Sequence, residues 1–346
     1  MAMEANEQIV LPHLAGKTVF ITGATGLIGQ NLVHALASNN NRSDVPAKII
    51  VLVRSLDRAK NVLKNDYNAV KCIVGDVTKP VSLSGPVDYI IHAASQTSSK
   101  AFIEHPIDTI DTAFAGTKNI LELAKEKNVK KFVYLSTMEI YGSPYSDEKI
   151  NEFHGTNLDT MLVRSCYPES KRLCENLCIA YMREFGVPVN VIRLTQTFGE
   201  GVSYNDGRVF AEFARCVIEE RNIILHTKGE TKRNYLYTQD AVNAILTVLI
   251  KGEAGQAYNA ANEDTYCSIY EMAQMVAKKF ADGKVNVKVE IQDESKFGFA
   301  PTLKMNLDTA KLKSLGWKPR VGLEDMFAYL IDDMRAQKNE NRNNKS

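Results

Sequence analysis

The sequence of 346 residues contains no stretch that approaches the ~20 consecutive apolar residues needed to cross a bilayer. Its richest apolar segment, residues 241–250, is short and contains Asn243. Charge of one sign is not in excess either, because 42 Lys and Arg face 41 Asp and Glu. Such a balance gives no general attraction to a nucleic acid backbone. We therefore expect neither a membrane protein nor a nucleic-acid-binding protein.

Cysteine pairs and a secretion signal are missing as well. The six cysteines are spread along the chain, and no pair has the CxxC or CxxH spacing of a zinc site. In a chain of this length we expect them to be reduced thiols, with no disulfide framework and no bound metal. Residues 1–8 are polar and lack the basic start and apolar run of a secretory signal. These features favour a cytoplasmic location.

Apolar runs of strand length alternate with segments of helical periodicity in the first half of the chain. Strands are predicted at Lys17–Thr22, Lys48–Val53, Ala69–Val74, Val87–His92 and Lys131–Ser136. Helices are predicted at Leu27–Ser38, Asp57–Asn65 and Pro106–Lys127. Continuous apolar strands joined by helices are typical of a parallel sheet that is covered on both faces. The predicted fold class is therefore α/β, with a Rossmann-type doubly wound parallel sheet.

The pattern changes after Gly142. Further helices are predicted at Pro168–Phe185, Val209–Arg221, Thr238–Ile250 and Ser268–Phe280, and a strand at Val189–Leu194. We assign residues 14–186 to a dinucleotide-binding Rossmann domain. Residues 187–336 are assigned mainly to a smaller C-terminal α/β substrate-binding domain, with some segments returning to the first sheet. Residues 337–346 show no apolar periodicity and are predicted to be a disordered tail.

A glycine-rich turn, TGATGLIG, connects the first predicted strand to the first predicted helix. Gly23 permits the tight turn, Gly26 lacks the Cβ that would block a pyrophosphate, and Gly29 lets the helix pack closely on the sheet. The N-terminus of that helix then faces the phosphates of a bound dinucleotide. The whole turn is predicted to bind the cofactor, which adds the intervening residues Thr25, Leu27 and Ile28.

Residues that follow three other strands fit the same cofactor. Asp76, followed by Val77, is placed to accept from an adenine amino group, and the small residues Ala93 and Ala94 suit a position beside the ribose and phosphates. The second strand is followed by Arg54. An NAD site usually has an acidic residue there for the ribose 2′-OH, whereas an arginine can hold the 2′-phosphate of NADP. NADP is therefore slightly favoured, with NAD as the alternative.

Tyr167 and Lys171 lie four residues apart at the start of a predicted helix and share one side of it. An ammonium beside a phenol stabilises the phenolate. We therefore expect Lys171 to lower the pKa of Tyr167, so that the tyrosine can take a proton from an alcohol. Thr137 follows the fifth strand, at the edge where an open α/β sheet binds its ligand. It is predicted to hydrogen-bond the same substrate oxygen.

The motifs TGATGLIG, HAAS, STMEIYG, YPESK and RNYLYTQD, in this order, resemble the extended short-chain dehydrogenase/reductase family of nucleotide-sugar epimerases, dehydratases and decarboxylases. The likeness covers about Lys17 to Arg335. It implies a nucleoside-diphosphate sugar as substrate, whose C4 hydroxyl is oxidised by the cofactor. It also implies that Tyr167 is the base, that Lys171 is its partner and a ligand of the cofactor ribose, and that Thr137 is a hydrogen-bond donor to the substrate.

The resemblance extends to the substrate site. Arg233 corresponds to an arginine that binds the nucleotide diphosphate, a task that suits a guanidinium. Gln196 stands where the family usually has Asn, and Ala113 replaces another Asn on the long helix, so the sugar pocket departs from the family pattern. The other predicted substrate contacts are Ser95, Thr137 and Met138, with Tyr235 and Asn205 as weaker candidates.

Glu139 is the finer indicator of the reaction. Once C4 is a ketone, the C5–H bond is acidic, and a carboxylate two residues beyond Thr137 can take its proton. By the resemblance, Met138 stands where dehydratases of the glucose type carry a proton donor. We expect C4 oxidation followed by decarboxylation or dehydration; a nucleotide-sugar 4-epimerase or 4-keto reductase is the alternative, and a non-catalytic dinucleotide sensor is a distant one. The family also implies a homodimer formed through two long helices.

Overall fold

The structure is a computed structural model that describes residues 13–291 and 302–343. In this part of the chain the strands are β1 (Thr18–Thr22), β2 (Lys48–Val53), β3 (Lys71–Val74), β4 (Tyr89–His92), β5 (Lys131–Thr137), β6 (Val189–Leu194), β7 (Gln196–Phe198), β8 (Ile223–Leu225), β9 (Lys232–Tyr237), β10 (Ala257–Ala260), β11 (Asn262–Ser268), β12 (Val287–Val289) and β13 (Lys304–Met305). The α-helices are α1 (Leu27–Asn40), α2 (Leu56–Leu63), α3 (Ser99–Glu104), α4 (Pro106–Lys127), α5 (Cys166–Phe185), α6 (Val209–Ile218), α7 (Thr238–Lys251), α8 (Ile269–Phe280), α9 (Ala310–Ser314) and α10 (Leu323–Asn343). Short 3-10 helices span Lys64–Ala69, Met138–Tyr141 and Val163–Ser165.

Seven strands form the larger sheet, in the order β10-β6-β5-β4-β1-β2-β3, and all neighbours are parallel. The register places Thr22 of β1 beside Leu52 of β2 and His92 of β4. From β1 the chain runs to β2 and β3 on one side and then crosses to β4 on the other. This doubly wound arrangement confirms the predicted Rossmann-type fold and places its topological switch point between β1 and β4.

Most positions in the strands of this sheet are apolar because helices cover both faces. Phe20 packs in a core layer with Ile120 of α4, whereas its neighbour Ile21 packs in the opposite layer with Leu32 of α1 and Ile245 of α7. Successive side chains of a strand point to opposite faces, so a strand between two helix layers needs apolar residues at every position. The continuous apolar runs of the sequence have this cause.

A smaller unit is built from residues that follow β6. β9 pairs with β7, β11 and β13, and β8 pairs with β12. Its core contains Phe198, whose ring stacks on Phe210 at 4.4 Å between centroids and meets Phe327 edge to face at 5.1 Å. β6 and β10 instead complete the larger sheet. The second half of the chain therefore contributes to both units.

The C-terminal residues differ from the sequence expectation. The prediction of a disordered tail from residue 337 is wrong for its first part, because α10 continues to Asn343. Gln337 accepts from the Tyr204 N–H and donates to the Val202 carbonyl, both at 2.9 Å. These anchors lie in a distant loop, so the local sequence does not reveal them. Residues 344–346 of the predicted tail lie outside the described residues.

Among the described residues, no helix combines the length and the apolar character that a membrane span requires. Within the same ranges, no three His, Cys, Asp or Glu side chains converge so as to hold a metal ion. The six cysteines are free thiols, and four of them, Cys166, Cys174, Cys178 and Cys216, are buried.

Candidate active site

The residues that the sequence singled out follow the carboxyl ends of five neighbouring strands. Gly23 follows β1, Arg54 follows β2, Asp76 comes shortly after β3, Ala93 follows β4, and Thr137 ends β5. Because the strands are parallel, all five positions lie along one edge of the sheet, on both sides of the switch point. An open α/β sheet binds its ligand in the crevice at this edge.

The glycine turn lies very close to the end of β4. Gly23 has a left-handed backbone with φ of +73°, and a Cβ on it would lie 2.7 Å from the backbone of Ala93. A Cβ on Gly29 would collide with the Gly23 carbonyl oxygen. The close contact of Gly29 is therefore with the turn itself, not with the sheet as the sequence suggested. Neither position has room for a side chain.

The N-terminus of α1 has the features of a phosphate site. Its N-cap residue is Gly26, no side chain caps the helix, and the first turn contains no acidic residue. Gly26 is exposed, and a Cβ on it would meet only the Gly23 carbonyl oxygen, at 3.4 Å. The first N–H groups of the helix and its dipole therefore suit a pyrophosphate. Thr25, Leu27 and Ile28 are partly exposed around the same turn.

The loop after β3 is held by its own hydrogen bonds. Asp76 Oδ1 accepts from the backbone N–H and the hydroxyl of Thr78, both at 2.9 Å. These bonds, with the charge of the exposed Arg54, lower the pKa of Asp76. Asn119 of α4 donates to the Val77 carbonyl at 2.8 Å. The predicted adenine ligand is thus an ionised carboxylate in a fixed loop.

His92, the last residue of β4, fixes the backbone opposite the glycine turn. Its Nδ1 shares a hydrogen bond with the Thr22 hydroxyl at 2.7 Å, and its Nε2 shares one with the Thr117 hydroxyl at 3.2 Å. Burial, with the nearby charge of Lys171, lowers the pKa of His92 to about 3, so the imidazole is neutral at physiological pH. Thr22 Oγ1 also accepts from the Ala94 N–H at 3.2 Å. A neutral imidazole thereby positions the alanines predicted to border the cofactor.

Thr137, Tyr167 and Lys171 come together at the end of β5. Because α5 begins at Cys166, Tyr167 and Lys171 lie one turn apart on its buried side, 8% and 4% exposed. The Thr137 hydroxyl lies near the Tyr167 phenol and favours its ionised form. The Lys171 ammonium donates to the Leu135 carbonyl of β5 at 2.7 Å. Burial lowers the pKa of Lys171 to about 8, so it is protonated at neutral pH.

The acidity of Tyr167 differs from the sequence expectation. Burial raises the pKa of Tyr167 well above its ordinary value, and the charge of Glu139 raises it further. The nearby Thr137 hydroxyl and the charge of Arg164 lower the pKa of Tyr167, but by less. The Lys171 ammonium points to the Leu135 carbonyl, so the expectation that it lowers the phenol pKa is wrong for the polypeptide alone.

An aromatic residue that sequence reasoning missed covers Tyr167. Phe102, on the short helix α3, is 2% exposed, and its ring stacks on the Tyr167 ring at 4.3 Å between centroids and an angle of 10°. The Cys166 thiol donates to the Phe102 carbonyl at 3.3 Å. A helix of six residues has no readable periodicity, so the sequence contains no local signal for this contact.

Arg164 is a second residue that the predicted site lacked. Its Nη1 donates to Glu139 Oε2 at 2.7 Å, and its Nη2 donates to Oε1 at 3.4 Å. The pair joins the two 3-10 helices Met138–Tyr141 and Val163–Ser165. The sequence signal for Arg164 is the stretch Arg164–Tyr167, which resembles the decarboxylases of the family but assigns no role to the arginine.

A buried ion pair fixes the elements around these side chains. Arg193 of β6 binds both oxygens of Glu175 on α5, with a shortest distance of 2.7 Å, and each side chain is 12% exposed. The Ser136 hydroxyl of β5 donates to Glu175 at 2.5 Å, and Arg193 donates to the Tyr141 hydroxyl at 2.8 Å. β5, β6, α5 and the 3-10 helix after Thr137 are therefore linked by one polar network.

Two predicted substrate residues meet on neighbouring strands of the smaller unit. Arg233 Nη1 on β9 donates to Gln196 Oε1 on β7 at 3.0 Å. Arg233 Nε is buried and has no hydrogen-bond partner among the described residues. A buried donor of this kind is costly unless a partner binds it, which fits a ligand for the guanidinium.

The other predicted substrate residues have diverse surroundings. Met138 is buried, and its sulfur accepts from the Thr195 hydroxyl at 3.2 Å. Ser95 is partly exposed beyond β4, and Asn205 is exposed. Tyr235 is 1% exposed in the core of the smaller unit.

Ionisation of Tyr167 tests this geometry. In the protein alone we expect no tyrosinate from residue 167 below about pH 10, because burial raises its pKa. A bound oxidised nicotinamide adds a positive charge, which favours the phenolate and shifts its formation to lower pH. Ultraviolet absorbance titrations of the wild type and Tyr167→Phe, each with and without NAD, measure the difference. A tyrosinate signal specific to the wild type at neutral pH without NAD would contradict the raised pKa.

Comparison with known proteins identifies the family of the chain. Residues 19–261 match the model of the NAD dependent epimerase/dehydratase family. The chain is 30% identical to UDP-glucuronic acid decarboxylase 1 of Xenopus tropicalis over 330 residues, which cover 95% of this chain and 74% of that protein.

Solved structures show the same fold. The dTDP-glucose 4,6-dehydratase of Streptomyces venezuelae with NAD bound has a TM-score of 0.77 at 23% identity, and the match covers 93% of this chain and 98% of that one. The UDP-glucose 4-epimerase of Thermotoga maritima with UDP-glucose has a TM-score of 0.76 at 20% identity, covering 92% and 99%. With the family match and the 30% identical relative, these findings establish that the chain belongs to the NAD-dependent epimerase/dehydratase family.

Proposed function

We propose that this protein is an NAD(P)-dependent enzyme that oxidises a nucleoside-diphosphate sugar at C4 and then releases its C6 carboxylate as CO2. The observation that carries the proposal is the convergence of Thr137, Tyr167 and Lys171 at the sheet edge that also holds the glycine turn. Relatives named as UDP-glucuronic acid decarboxylases support the substrate class.

The dinucleotide lies across the carboxyl edge of the larger sheet in this proposal. The N-terminus of α1 at Gly26 binds the pyrophosphate, Asp76 accepts from the adenine amino group, and Lys171 binds the ribose of the nicotinamide end. Ala93 and Ala94 border the phosphates. A bound nicotinamide dinucleotide would supply the hydride chemistry at C4 of the sugar.

The side chains around Tyr167 move and hold the proton. Tyr167 takes the proton of the C4 hydroxyl, and Thr137 donates a hydrogen bond to the same oxygen. Lys171, protonated below about pH 8, contributes positive charge nearby. Phe102 covers one face of the phenol ring and keeps water from it. Arg233 binds the diphosphate with its unpartnered Nε, while Gln196 and Ser95 bind the remainder of the substrate.

The residues near Thr137 favour decarboxylation over dehydration. A C6 carboxylate next to a C4 ketone is a β-keto acid, which loses CO2 as the electron pair of the C5–C6 bond forms an enolate; C5 then takes up a proton. Dehydration needs a base for the C5 proton and an acid for the departing 6-hydroxyl. Met138 cannot donate a proton, and both oxygens of Glu139 accept from Arg164.

Product mass tests the proposed reaction. With NAD or NADP, the protein is expected to convert UDP-glucuronate to a product lighter by one CO2. Tyr167→Phe is expected to lower kcat by about 100- to 10,000-fold, because it removes the general base. Tyr145→Phe is the matched control, since Tyr145 is 71% exposed and should leave kcat unchanged. Mass spectrometry of the products gives the readout.

The same assay distinguishes the other reactions. Loss of water from UDP-glucose or dTDP-glucose without CO2 loss from UDP-glucuronate would replace the proposal with a dehydratase, and an isomer of unchanged mass would replace it with a 4-epimerase. Glu139→Gln adds a second criterion. CO2 release is expected to persist in this variant, because decarboxylation requires no removal of the C5 proton, whereas dehydration would stop.

We also propose a preference for NADP over NAD, which refines the NAD dependence of the family. Arg54 follows β2, the strand whose end meets the ribose of the adenosine half, and its side chain is exposed. A guanidinium there binds a 2′-phosphate and gains less from a 2′-OH.

Replacement of Arg54 tests this preference. Arg54→Ala is expected to weaken NADP binding by about tenfold, because a charged hydrogen bond is lost, and to leave NAD binding nearly unchanged. Lys60→Ala, which removes another exposed cation from the next helix, is the control. Dissociation constants from calorimetry decide the matter. Tighter binding of NAD than of NADP by the wild type would overturn the proposal.

A homodimer is proposed on the basis of an exposed apolar surface. α4 and α5 pack side by side and α3 lies next to them. Their solvent-facing side carries the exposed apolar residues Ile103, Ile107, Ile110, Phe114 and Leu173. Several exposed apolar residues on packed helices favour an interaction site, and a second copy of the chain covers them in this proposal.

Ile107 tests this interface because its side chain is 67% exposed and contributes little to the fold of one chain. Ile107→Asp is expected to convert a dimer to a monomer in size-exclusion chromatography with light scattering, since a charge then lies in an apolar contact. Ile291→Asp, also at an exposed apolar position, is the control. A monomeric wild type would contradict the proposal.

A cytoplasmic location is the last part of the proposal. The six cysteines are free thiols, which suits a reducing compartment.

A further inference from the structure

We propose that Arg164 fits this site to a sugar that carries a carboxylate at C6, by binding that carboxylate and by offsetting the charge of Glu139 beside it. The inference rests on the proposed function, because it takes the C4 hydroxyl to lie at Tyr167. It adds a specificity-determining residue outside the Thr137, Tyr167 and Lys171 set.

Arg164 lies close to Tyr167, the proposed base. It lies in the 3-10 helix Val163–Ser165, three residues before Tyr167, so the two side chains are neighbours on a helical backbone. Its guanidinium carbon lies 5.6 Å from the centre of the Phe102 ring, and that ring stacks on Tyr167. C6 of the sugar is two bonds from C4, so a substituent there lies within reach of a long side chain beside Tyr167.

The Arg164 guanidinium has more N–H donors than Glu139 uses. An arginine carries five N–H donors, and among the described residues Arg164 donates only to the two oxygens of Glu139. Its side chain is 34% exposed, so it is held in place without being enclosed. The fork of a guanidinium matches the two oxygens of a carboxylate better than any other cationic side chain does.

The charge of the pair matters as much as its donors. Glu139 is 28% exposed, and without Arg164 its carboxylate would repel a second carboxylate on the substrate. The bidentate pair has no net charge, so an acidic sugar can bind beside it. Both charges act on Tyr167. The charge of Glu139 raises the pKa of Tyr167, and the charge of Arg164 lowers it.

Binding of two nucleotide sugars that differ only at C6 tests the role of Arg164. UDP-glucuronate and UDP-glucose are titrated by calorimetry into protein saturated with oxidised cofactor and carrying Tyr167→Phe, which prevents turnover. Adding Arg164→Met is expected to weaken UDP-glucuronate binding about tenfold or more, because hydrogen bonds between charged groups are lost, and to change UDP-glucose binding less than twofold. Arg164→Lys keeps the charge but loses the fork, so it should restore part of the affinity.

Two further variants make the outcome decisive. Arg172→Met is the matched control, since Arg172 also faces a glutamate, Glu169, at 4.0 Å on α5, and it should change neither affinity. Adding Glu139→Gln to Arg164→Met should recover some UDP-glucuronate binding, because the uncompensated charge is then gone.

Equal weakening of both sugars by Arg164→Met would show a structural role only and overturn the proposal, as would no weakening of either. The affinity ratio is independent of turnover. If the wild type released no CO2 from UDP-glucuronate, the proposed reaction would fail while the ratio would still decide the role of Arg164.

Discussion

Burial of an ammonium next to a buried phenol is the constraint on which the site depends. Lys171 is 4% exposed, and a charged group removed from water is costly unless hydrogen bonds replace the lost solvent. The Leu135 carbonyl provides such a bond, and the charge of Glu175 on the same helix also favours the protonated form. The cost of burial therefore appears as a lowered pKa, and the compensating bond joins the start of α5 to the end of β5.

From Glu175, next to Lys171 on α5, a series of polar contacts crosses the sheet. Glu175 pairs with Arg193 on β6, Arg193 donates to the Tyr141 hydroxyl, and that hydroxyl donates to Asn259 on the edge strand β10 at 2.7 Å. The polar residues next to Lys171 and the edge strand contributed by the second half of the chain are thus connected through side chains. Removal of one member of a buried pair leaves the other uncompensated, so this network is sensitive to single substitutions.

The sequence patterns predicted the strands and helices whose bounds are set by residues within the element itself. β2, α4 and β6 have the expected bounds, because apolar runs, Pro106 and the helical period are contained in the segments themselves. Tyr167 and Lys171 were found because four residues make one helical turn. The same reasoning could not predict whether the pKa of Tyr167 is raised or lowered, because that shift depends on burial by the whole fold.

Contacts between distant segments were the ones missed. Phe102 meets Tyr167 across 65 positions, and Arg164 meets Glu139 across 25. Neither pair has a spacing that a helix or strand would produce, and the helix that carries Phe102 has only six residues. The strands of the smaller unit are as short as two or three residues, so their pairing also depends on the tertiary structure.

The last helix is connected to α1, the helix that follows the glycine turn. Asp333 of α10 accepts from the Gly201 N–H at 3.0 Å, and the Gly201 carbonyl accepts from Gln30 of α1 at 3.3 Å. Gly201, through its N–H and its carbonyl, therefore joins the C-terminal helix to the helix that begins at the glycine turn. For protein engineering, this means that truncation of α10 before Asp333 would remove this link to α1, whereas an affinity tag or fusion partner placed after residue 343 would keep it.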